Sequence, residues 1–570
     1  MNSGTPSSTA RRQMAKWIIC SAWPYVNSIP HLGTFMHLLS ADTYARYLLM
    51  KGEEVVAVSG SDEHGTPIEV EAMRRGVSPR EITDANHEMI RKLLEEYSID
   101  VLYYTRTESP VHREFVADFY RKVDENGYVF KEDVEMPFCP KDGIFLPDRF
   151  VVGTCPYCGY TNAKGDQCDR CGKLLEPTML IDPRCAICGS RPEIRRTTHW
   201  YFDLPKLEGM LREYLLANDR LPDNARNASL RLLEEGLRPR ALTRDNRWGI
   251  PAPFPGADGK TIYVWMEAVL GYLSAVKELG LKSGDPGILE RFWLSPDARP
   301  VCFIGKDNIP FHTIIFPALL MASGERYALP WQVSSTEYVT MDGEKFSKSA
   351  GVGVWMDRAL RVADGEIWRF VAMHMRPESR DVSFSWGEFI RVVNSELNDN
   401  LGNFAHRVLT LAFRKYGGNP PRCEPRGSLV DAAVSALDGY VHDMDSFRIK
   451  DGTRRILELS AAGNEHLSSE KPWELIRSRD PRADEALCAY LSALDAIAMM
   501  MYPFMPRRSA RLWGMLGRGG TPEDSRIRMP PPGRGPLMEP IPLFQKVPGT
   551  PDDLQRIYDG APETGSGAVD

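Results

Sequence analysis

Long apolar runs are missing from this sequence. The longest run near the carboxyl terminus, residues 496–501, is followed by Pro503 and falls far short of the about 20 apolar residues that a membrane-spanning helix needs. Residues 2–16 are polar and small, and no apolar stretch of a secretion signal follows them. These absences predict a soluble, cytoplasmic protein without a membrane partner.

Two further absences limit the ligands that the chain is expected to bind. The sequence has no GxGxxG fingerprint, which excludes the usual dinucleotide-binding motif. It also has no excess of positive charge, since 70 Lys and Arg against 77 Asp and Glu give a net charge of −7 at pH 7. The chain as a whole therefore does not attract nucleic acid, and any such contact must come from a local surface.

The chain is long enough for several hydrophobic cores. It has 570 residues, of which 43% are apolar and 26% charged, as in ordinary globular proteins. We expect about three or four packed domains.

The first motif lies in a predicted βαβ unit near the amino terminus. Residues 17–20 indicate a buried strand, residues 38–48 an amphipathic helix, and residues 55–58 the next strand. His31 and Gly33 stand at the strand-to-helix junction, where free N–H groups and a partial positive charge favour a phosphate. An imidazole can donate to a phosphate oxygen, and a glycine lets a nucleotide approach the backbone. A histidine at a strand end is more often structural than catalytic, so this motif needs a second one to support it.

Polar turns follow two other apolar strands. Asp62, in GSDEHGT, is placed to hold an ammonium group, and an ordinary polar turn is the alternative. Asp307, in FIGKDN, is placed to bind a ribose hydroxyl. Carboxyl ends of parallel strands meet at one edge of a sheet, so these residues are expected beside His31.

Aromatic residues around position 270 offer a candidate pocket. Trp265, Ala268 and Tyr272 follow a β-rich run, and His312 lies in the helix after Asp307. Aromatic residues at these spacings are usually part of a core. With a small alanine between them, they could also enclose an unbranched apolar side chain.

The required second motif is KFSKS, at residues 345–349. By composition alone, Lys345, Ser347 and Lys348 form a solvated basic turn. On a loop over a triphosphate, the same residues would supply two ammonium groups and hydroxyls. HLGT and KFSKS in this order are far more specific than either motif alone.

Seven of the 11 cysteines lie between Cys139 and Cys188. This clustering, mostly as CxxC pairs, indicates metal binding in a reducing compartment rather than disulfides. An inner zinc site is expected from four cysteines: Cys155, Cys158, Cys168 and Cys171. A nested outer site would use Cys139, Asp142, Cys185 and Cys188. Because aspartate is an unusual ligand beside three thiolates, we leave open whether the outer site holds metal or is a vestigial knuckle. A four-cysteine site leaves no open position for catalysis.

The sequence beyond Trp386 has the apolar periodicity of helices. Residues 391–520 carry 18 Lys and Arg against 16 Asp and Glu, so this region is mildly basic while the remainder is acidic. A plain helix bundle and a nucleic-acid-binding module are both compatible with the pattern. From Thr521 the chain is rich in proline, glycine and charge and is expected to be mostly irregular, with residues 541–544 docking it on the body.

Taken together, these motifs resemble those of methionyl-tRNA synthetases, a family of class I aminoacyl-tRNA synthetases. The resemblance covers residues 16–515, and HLGT and KFSKS are similar to the family's HIGH and KMSKS elements. The knuckles resemble those of the archaeal-type branch. The resemblance implies an α/β multidomain fold with a Rossmann-type catalytic domain, an inserted zinc-knuckle connective domain, and an all-α helix-bundle anticodon-binding domain.

The resemblance also implies domain boundaries. The Rossmann catalytic domain would occupy residues 16–127 and 240–335, interrupted by the connective domain at 128–239. The KFSKS loop and stem-contact region would occupy 336–390, the α-helical anticodon-binding domain 391–520, and an irregular tail 521–570.

The reaction implied by the resemblance is a two-step ligation. L-methionine and ATP, with Mg²⁺, would form methionyl adenylate, and the methionyl group would pass to the 3′ end of elongator and initiator tRNA(Met). Zn²⁺ would be a structural cofactor. No oligonucleotide-fold module is recognisable after residue 520, so tRNA affinity would come from the helical domain, and we expect a monomer.

Residue roles implied by the resemblance fall into three groups. Catalysis and ATP binding are assigned to His31, Gly33, Thr34, Asp307, Lys345, Ser347 and Lys348. Among these, the catalytic residues would be His31, Thr34, Lys345 and Lys348. Methionine binding is assigned to Ala22, Trp23, Tyr25, Asp62, Arg244, Trp265, Ala268, Tyr272 and His312. Anticodon binding is assigned to Asn403, Arg407 and Trp473.

Departures from the family pattern leave alternatives. Thr34 stands where the family usually has His or Asn, and Val269 and Leu270 stand where it often has Pro-Ile. Thr34 leaves open weaker adenylation, or a paralogue that only binds tRNA. Val269 and Leu270 leave open an altered pocket. Another class I synthetase and a nucleotidylyltransferase are further alternatives. The short stretch at 105–128 disfavours branched-chain synthetases with an inserted editing domain, and the helical module with KFSKS disfavours nucleotidylyltransferases.

Overall fold

A computed structural model of the chain describes residues 15–146, 150–165, 168, 170, 171, 173, 175, 177–341, 343–346, 352–421, 424–529 and 534–560, and for Lys345 only the backbone. Among these residues, none of the helices combines the length and the apolar character that crossing a membrane requires.

The β-strands of the described residues are, in chain order, β1 (Lys16–Ser21), β2 (Glu54–Ser61), β3 (Tyr103–Arg106), β4 (Val129–Cys139), β5 (Ile144–Phe145), β6 (Val151–Thr154), β7 (Ala163–Lys164), β8 (Ile181–Cys185), β9 (Glu193–Phe202), β10 (Arg240–Ala241), β11 (Thr243–Arg244), β12 (Thr261–Ile262), β13 (Ala298–Gly305), β14 (Gln332–Thr336), β15 (Val339–Met341), β16 (Glu344–Lys345) and β17 (Val382–Phe384).

The α-helices are α1 (Leu32–Lys51), α2 (Thr66–Arg75), α3 (Pro79–Glu96), α4 (Pro110–Glu125), α5 (Glu208–Ala217), α6 (Asp223–Glu234), α7 (Val264–Ala268), α8 (Gly271–Ser283), α9 (Ile288–Trp293), α10 (Phe316–Ala322), α11 (Met356–Ala359), α12 (Gly365–His374), α13 (Trp386–Ile390), α14 (Asn403–Tyr416), α15 (Ser428–Asp445), α16 (Ile449–Glu470), α17 (Pro472–Ser478), α18 (Arg482–Met501), α19 (Pro506–Met515), α20 (Pro522–Ser525) and α21 (Pro551–Asp559). Two stretches, Phe311–Ile315 and Arg391–Gly402, have π-helical hydrogen bonding.

The catalytic core is a parallel five-stranded sheet in the order β14-β13-β1-β2-β3. Its three central strands, β1, β2 and β13, are almost continuously buried because helices cover both faces of the sheet. The strand order reverses between β1 and β13, which creates a crevice at their carboxyl ends. The predicted Rossmann-type topology is therefore confirmed, and ligand sites are expected at this crevice.

The connective region is inserted after β3 and α4. Its framework is the long antiparallel pair β4 and β9, flanked by β5 and β10. The three-stranded sheet β7-β6-β8 lies between them in sequence and carries the cysteine knuckles.

The helical region after α13 packs directly against the catalytic core. Arg369 of α12 is fully buried and forms an ion pair of 2.7 Å with Asp42 of α1. The same guanidinium donates to the carbonyl oxygens of Pro503 and Phe504 in the helical region. A buried arginine with all of these partners fixes the helical region relative to α1.

One sequence expectation needs correction. The tail is mostly irregular, as expected, but it also contains α20 and α21. A capping box between Thr550 and Asp553 starts α21 and was a readable helix signal. Docking of 541–544 is confirmed by burial of Leu543 and Phe544.

Candidate active site and metal centres

A cavity of about 580 Å³ opens at the carboxyl ends of β1, β2, β13 and β14. Because the crevice lies where the strand order reverses, several strand ends contribute side chains to it. The site residues predicted from sequence that line it are Ala22, Trp23, Tyr25, His31, Gly33, Thr34, Asp62, Trp265, Ala268, Tyr272, Asp307 and His312.

Asp62 is the buried carboxyl group of this cavity. Its backbone is fixed by hydrogen bonds with Pro24 and Val26, which extend the β1–β2 pairing beyond the strands. The residue is 5% exposed, and its Oδ1 has no hydrogen-bond partner. Burial, and secondarily the negative charge of Glu267, raise the pKa of Asp62 well above its ordinary value. A cation in the cavity would relieve both the missing hydrogen bond and the cost of ionisation.

Two glycines make room for the indole of Trp23. A β-carbon at Gly60 would lie 2.7 Å from the indole ring, and one at Gly271 would lie 2.4 Å from it. Both distances are well inside van der Waals contact, so any larger side chain would displace the ring. These glycines therefore define the position of one wall of the cavity.

Tyr272 and His312 form a buried hydrogen-bonded pair at the cavity wall. The imidazole Nδ1 lies 2.9 Å from the Asn308 carbonyl oxygen, and Nε2 lies 2.9 Å from the Tyr272 hydroxyl. Since a carbonyl only accepts, Nδ1 carries the proton and Nε2 accepts from the tyrosine. Burial lowers the pKa of His312 to about 4, so the ring is neutral at pH 7.

A charged cluster lies behind Asp62. His64 is buried between Glu267 and Glu108, with Nδ1 and Nε2 at 2.5 and 2.8 Å from the two carboxylates. Burial alone would lower the pKa of His64, but Glu267 and Glu108 outweigh it and raise the pKa to about 10. His64 is therefore an imidazolium at pH 7 and partly neutralises this acidic layer.

His31 caps the amino terminus of α1. Its Nδ1 accepts a 3.3 Å hydrogen bond from the Thr34 backbone N–H, so Nε2 carries the proton, 3.4 Å from the Thr34 hydroxyl. Burial lowers the pKa of His31 to about 4. The ring also packs edge-on against Phe346, with centroids 5.3 Å apart. A β-carbon at Gly33 would lie only 3.2 Å from the His31 ring. His31 is thus a neutral N–H donor at a positive helix end.

Asp307 lies across the crevice from His31. Its carboxylate accepts a short hydrogen bond from the Tyr338 hydroxyl. Three other residues are predicted to bind ATP. Ser347 and Lys348 lie outside the described residues, as does the side chain of Lys345.

Arg244 is the predicted methionine-binding residue that does not line this cavity. Its guanidinium carbon lies 4.0 Å from the ring centroid of Tyr263, and Nη1 donates to the carbonyl oxygens of Ala241 and Thr243. Cation–π contact and local hydrogen bonds hold Arg244 over the β11–β12 hairpin.

Several cavity residues were not identified from sequence. His37, one of them, lies on α1 and pairs with the Thr336 hydroxyl at 3.1 Å. A histidine within the apolar run 35–39 of α1 was the available signal. Tyr338 and Phe346 also line the cavity. Phe346 belongs to KFSKS but was given no role of its own, and nothing in the local sequence distinguishes Tyr338 from an ordinary loop residue.

The inner cysteine cluster has the dimensions of a tetrahedral site. Cys155 and Cys171 have sulfurs 3.8 Å apart, and the sulfurs of Cys158 and Cys168 are 3.6 Å apart. Zinc–sulfur bonds of about 2.3 Å place tetrahedral sulfurs about 3.8 Å from each other. The four residues therefore fit a metal ion.

The outer cluster is also assembled. Asp142 Oδ2 lies 3.0 and 3.2 Å from the sulfurs of Cys139 and Cys185, and the sulfurs of Cys139 and Cys188 are 3.5 Å apart. The hydroxyl of Ser190, which sequence analysis did not single out, lies 3.2 Å from the Cys139 sulfur. Both predicted groups thus have ligand atoms close enough for one metal ion each.

The three predicted anticodon residues lie in the helical region, where two of them are in contact. Asn403 starts α14, Arg407 follows it by one turn, and Trp473 lies on α17. The Arg407 guanidinium lies 5.6 Å from the Trp473 ring centroid. Asn403 is exposed and the other two are half-buried, so this surface presents an amide, a cation and an indole.

Comparison with protein families matches residues 17–409 to tRNA synthetases class I (M) and residues 420–548 to the anticodon binding domain of methionyl tRNA ligase. The chain is 54% identical over 540 residues to the methionine–tRNA ligase of Korarchaeum cryptofilum, covering 93% of this chain and 96% of that protein. It is also 54% identical over 541 residues to the methionine–tRNA ligase of Thermofilum pendens, covering 93% and 95%.

Among solved structures, the methionyl-tRNA synthetase of Mycobacterium tuberculosis in complex with methionyl-adenylate shares the fold, with a TM-score of 0.76. The two chains are 21% identical, and the match covers 93% of this chain and 99% of the other. These matches confirm the resemblance that HLGT, KFSKS and the knuckles indicated. The chain belongs to the methionyl-tRNA synthetase family.

Proposed function

We propose that this protein activates L-methionine with ATP and transfers the methionyl group to the 3′ end of tRNA(Met), both elongator and initiator. The observation that carries the proposal is Asp62, a buried carboxyl group with an unpartnered oxygen in an otherwise largely apolar end of the cavity. An α-amino acid with an unbranched apolar side chain supplies the missing ammonium group and fills the apolar space.

Methionine binds with its ammonium group on Asp62 and its thioether among aromatic rings. Trp23, Tyr25, Trp265 and Tyr272 surround the side chain, with His312 at the wall and Ala22 and Ala268 leaving space. Sulfur contacts with aromatic rings stabilise a thioether. Arg244 acts from outside the cavity, on the hairpin beside it.

ATP binds at the α1 end of the cavity. Neutral His31 donates from Nε2 to a phosphate oxygen, Thr34 adds a hydroxyl, and Gly33 lets the nucleotide approach α1. Asp307 accepts from the ribose. The ammonium groups of Lys345 and Lys348, with Ser347, supply positive charge that a neutral histidine cannot, and Mg²⁺ accompanies the triphosphate.

The chemistry is a displacement followed by an acyl transfer. A methionine carboxylate oxygen attacks the α-phosphorus, the bond to the bridging oxygen breaks, and pyrophosphate leaves. The terminal ribose hydroxyl of the tRNA then attacks the carbonyl carbon, and AMP leaves. The protein contributes positioning and electrostatic stabilisation and forms no covalent bond.

The anticodon surface selects the tRNA. Unstacked bases of the CAU anticodon stack on Trp473 and form hydrogen bonds with Asn403 and Arg407, as RNA loops do with exposed aromatic and polar side chains. The experiment is charging of a tRNA(Met) transcript with radiolabelled methionine, beside a transcript whose anticodon is changed to CAC. Charging of the CAU transcript alone supports the proposal, and equal charging of both contradicts the role of this surface.

Zinc occupies both cysteine clusters. Cys155, Cys158, Cys168 and Cys171 bind one ion, and Cys139, Asp142, Cys185 and Cys188 bind the other. Each ion cross-links its knuckles and stabilises their fold, without an open position for catalysis.

Metal analysis of the purified protein tests this assignment. We expect two zinc ions per chain in the wild type and one in Asp142→Ala. The matched control is Asp133→Ala, which removes an exposed carboxylate from β4, the strand that ends at Cys139, and keeps both ions. One ion in the wild type would contradict the outer site.

A further inference from the structure

The helix α21, near the carboxyl terminus, packs against residues of the region 336–390, which follows the catalytic sheet in sequence. Its two inward-facing residues, Leu554 and Tyr558, are one turn apart and almost completely buried. Gln555 on the same helix accepts a 2.7 Å hydrogen bond from the Trp386 indole N–H. Through α21 the tail therefore docks on the region 336–390 by specific contacts.

Tyr558 binds the backbone of one short segment, residues 353–356, which we call the bridging segment. The backbone N–H of Trp355 donates to the Tyr558 phenol oxygen at 2.7 Å. The phenol in turn donates to the Gly353 carbonyl oxygen at 3.3 Å. Arg361 Nη1 donates to the Tyr558 carbonyl oxygen at 3.0 Å, which fixes the end of the helix.

The bridging segment also holds the residues on both sides of His31. The Leu32 backbone N–H donates to the Val354 carbonyl oxygen at 2.7 Å, and the Met356 N–H donates to the Pro30 carbonyl oxygen at 3.2 Å. Residues 353 and 355 thus bond to Tyr558, whereas 354 and 356 bond to the backbone beside His31.

Side chains complete the same connection. Phe346 packs edge-on against the His31 ring and lies beside Gly353, where an added β-carbon would approach it to 3.2 Å. The described contacts of the His31 ring nitrogens are both with Thr34, three residues away on the same helix end. The position of His31 in the cavity therefore depends on the bridging segment.

We propose that Tyr558 is a positioning residue for adenylation: through the bridging segment it holds His31 where it meets the triphosphate. This inference rests on the proposed function, because it concerns how His31 serves that reaction. Tyr558 itself lies outside the cavity lining, so it acts through other residues and not on the substrates directly. The methionine end of the cavity, around Asp62, has no described hydrogen bond to the bridging segment.

Loss of the hydroxyl would leave the Trp355 N–H and the Gly353 carbonyl oxygen without this partner. One lost hydrogen bond is a modest perturbation of the fold, but small displacements of a catalytic group lower rates steeply. For Tyr558→Phe we expect a three- to tenfold lower kcat for methionine-dependent ATP–pyrophosphate exchange, with an unchanged KM for methionine.

The matched control is Gln555→Ala. It removes a hydrogen bond of the same helix to the same domain but does not touch the bridging segment. If α21 only stabilises the fold, Tyr558→Phe and Gln555→Ala will change kcat alike, and the inference is overturned. A higher KM for methionine in Tyr558→Phe would also overturn it.

Hydrogen–deuterium exchange supplies a readout that needs no activity. Tyr558→Phe should speed amide exchange in peptides that contain Leu32, Trp355 and Met356, and Gln555→Ala should not. Unchanged protection in Tyr558→Phe refutes the positioning role even if the wild type fails to activate methionine. Failure of the wild type in pyrophosphate exchange, with the protection change present, would instead refute the proposed function.

Discussion

Replacing Asp62 by asparagine is expected to weaken methionine binding and stabilise the free protein. Asp62 lines the cavity and is buried, as is Glu267, the carboxyl group whose charge affects it most, and Oδ1 of Asp62 has no hydrogen-bond partner. Asparagine has the same shape and retains an oxygen for the His64 backbone N–H, so the cavity should keep its geometry. What is lost is the charge that the substrate ammonium group needs.

The size of the binding loss follows from the burial of the ion pair between Asp62 and the ammonium group of methionine. Removing one partner of a buried ion pair costs about 3–5 kcal/mol. At 1.4 kcal/mol per factor of ten, the Kd for methionine should rise by about 100- to 5,000-fold. The assay is calorimetric titration with methionine, supported by the methionine dependence of pyrophosphate exchange. Asp307→Asn, in the same cavity, is the contrast, because it should raise the KM for ATP instead.

The stability change has the opposite sign and depends on pH. Folding raises the pKa of Asp62, so this carboxyl group destabilises the native state above about pH 3.8, where it ionises in the unfolded chain. Each tenfold change in proton affinity between the two states corresponds to about 1.4 kcal/mol of stability. Asp62→Asn should therefore raise Tm at pH 7–8 and have little effect near pH 4. A methionine Kd within threefold of the wild type, or a Tm that falls at pH 7–8, would refute this account of Asp62.

Three further results are expected. Tyr272→Phe leaves the buried Nε2 of His312 without its hydrogen bond, at a cost of about 1–3 kcal/mol. The KM for methionine in pyrophosphate exchange should therefore rise about tenfold. An unchanged KM would contradict the role of the Tyr272–His312 pair. The His64 imidazolium stabilises the folded state fully below pH 6.5, the ordinary pKa of histidine, and this stabilisation is lost as the pH rises through about 10, its pKa in the folded protein. The amount by which the Tm of the wild type exceeds that of His64→Gln should therefore narrow between these two pH values. A constant difference would show that His64 stays neutral. Trp473→Ala should raise the Kd for tRNA(Met) in filter binding by about tenfold, because one stacked base contributes about 1–3 kcal/mol. A change below twofold would place the anticodon elsewhere.

The sequence was sufficient to predict residues whose position follows from the sheet. Asp62 and Asp307 follow buried strands closely, His31 caps the helix that follows β1, and parallel strands bring their carboxyl ends together. The nested cysteine pairing was equally predictable, because CxxC spacing determines local geometry and chain order limits how knuckles can pair. This is why the outer cluster could be anticipated although Asp142 replaces a cysteine.

The remaining features depend on contacts between distant segments. Arg244 was expected at the substrate, but cation–π contact with Tyr263 holds it outside the cavity lining. His37 enters the cavity because Thr336, 299 residues later, lies beside it. Likewise, composition predicted an irregular tail, whereas Tyr558 on α21 of that tail binds the segment beside His31. No local pattern records such pairings, since packing of separate elements creates them.

The most direct test of the central claim is ATP–pyrophosphate exchange by the purified protein with each of the 20 standard amino acids. The proposed function predicts exchange with methionine. This result would also show that the reaction tolerates Thr34 in place of the His or Asn that the family usually has. Exchange with another amino acid in preference to methionine, or with none of them, would contradict it.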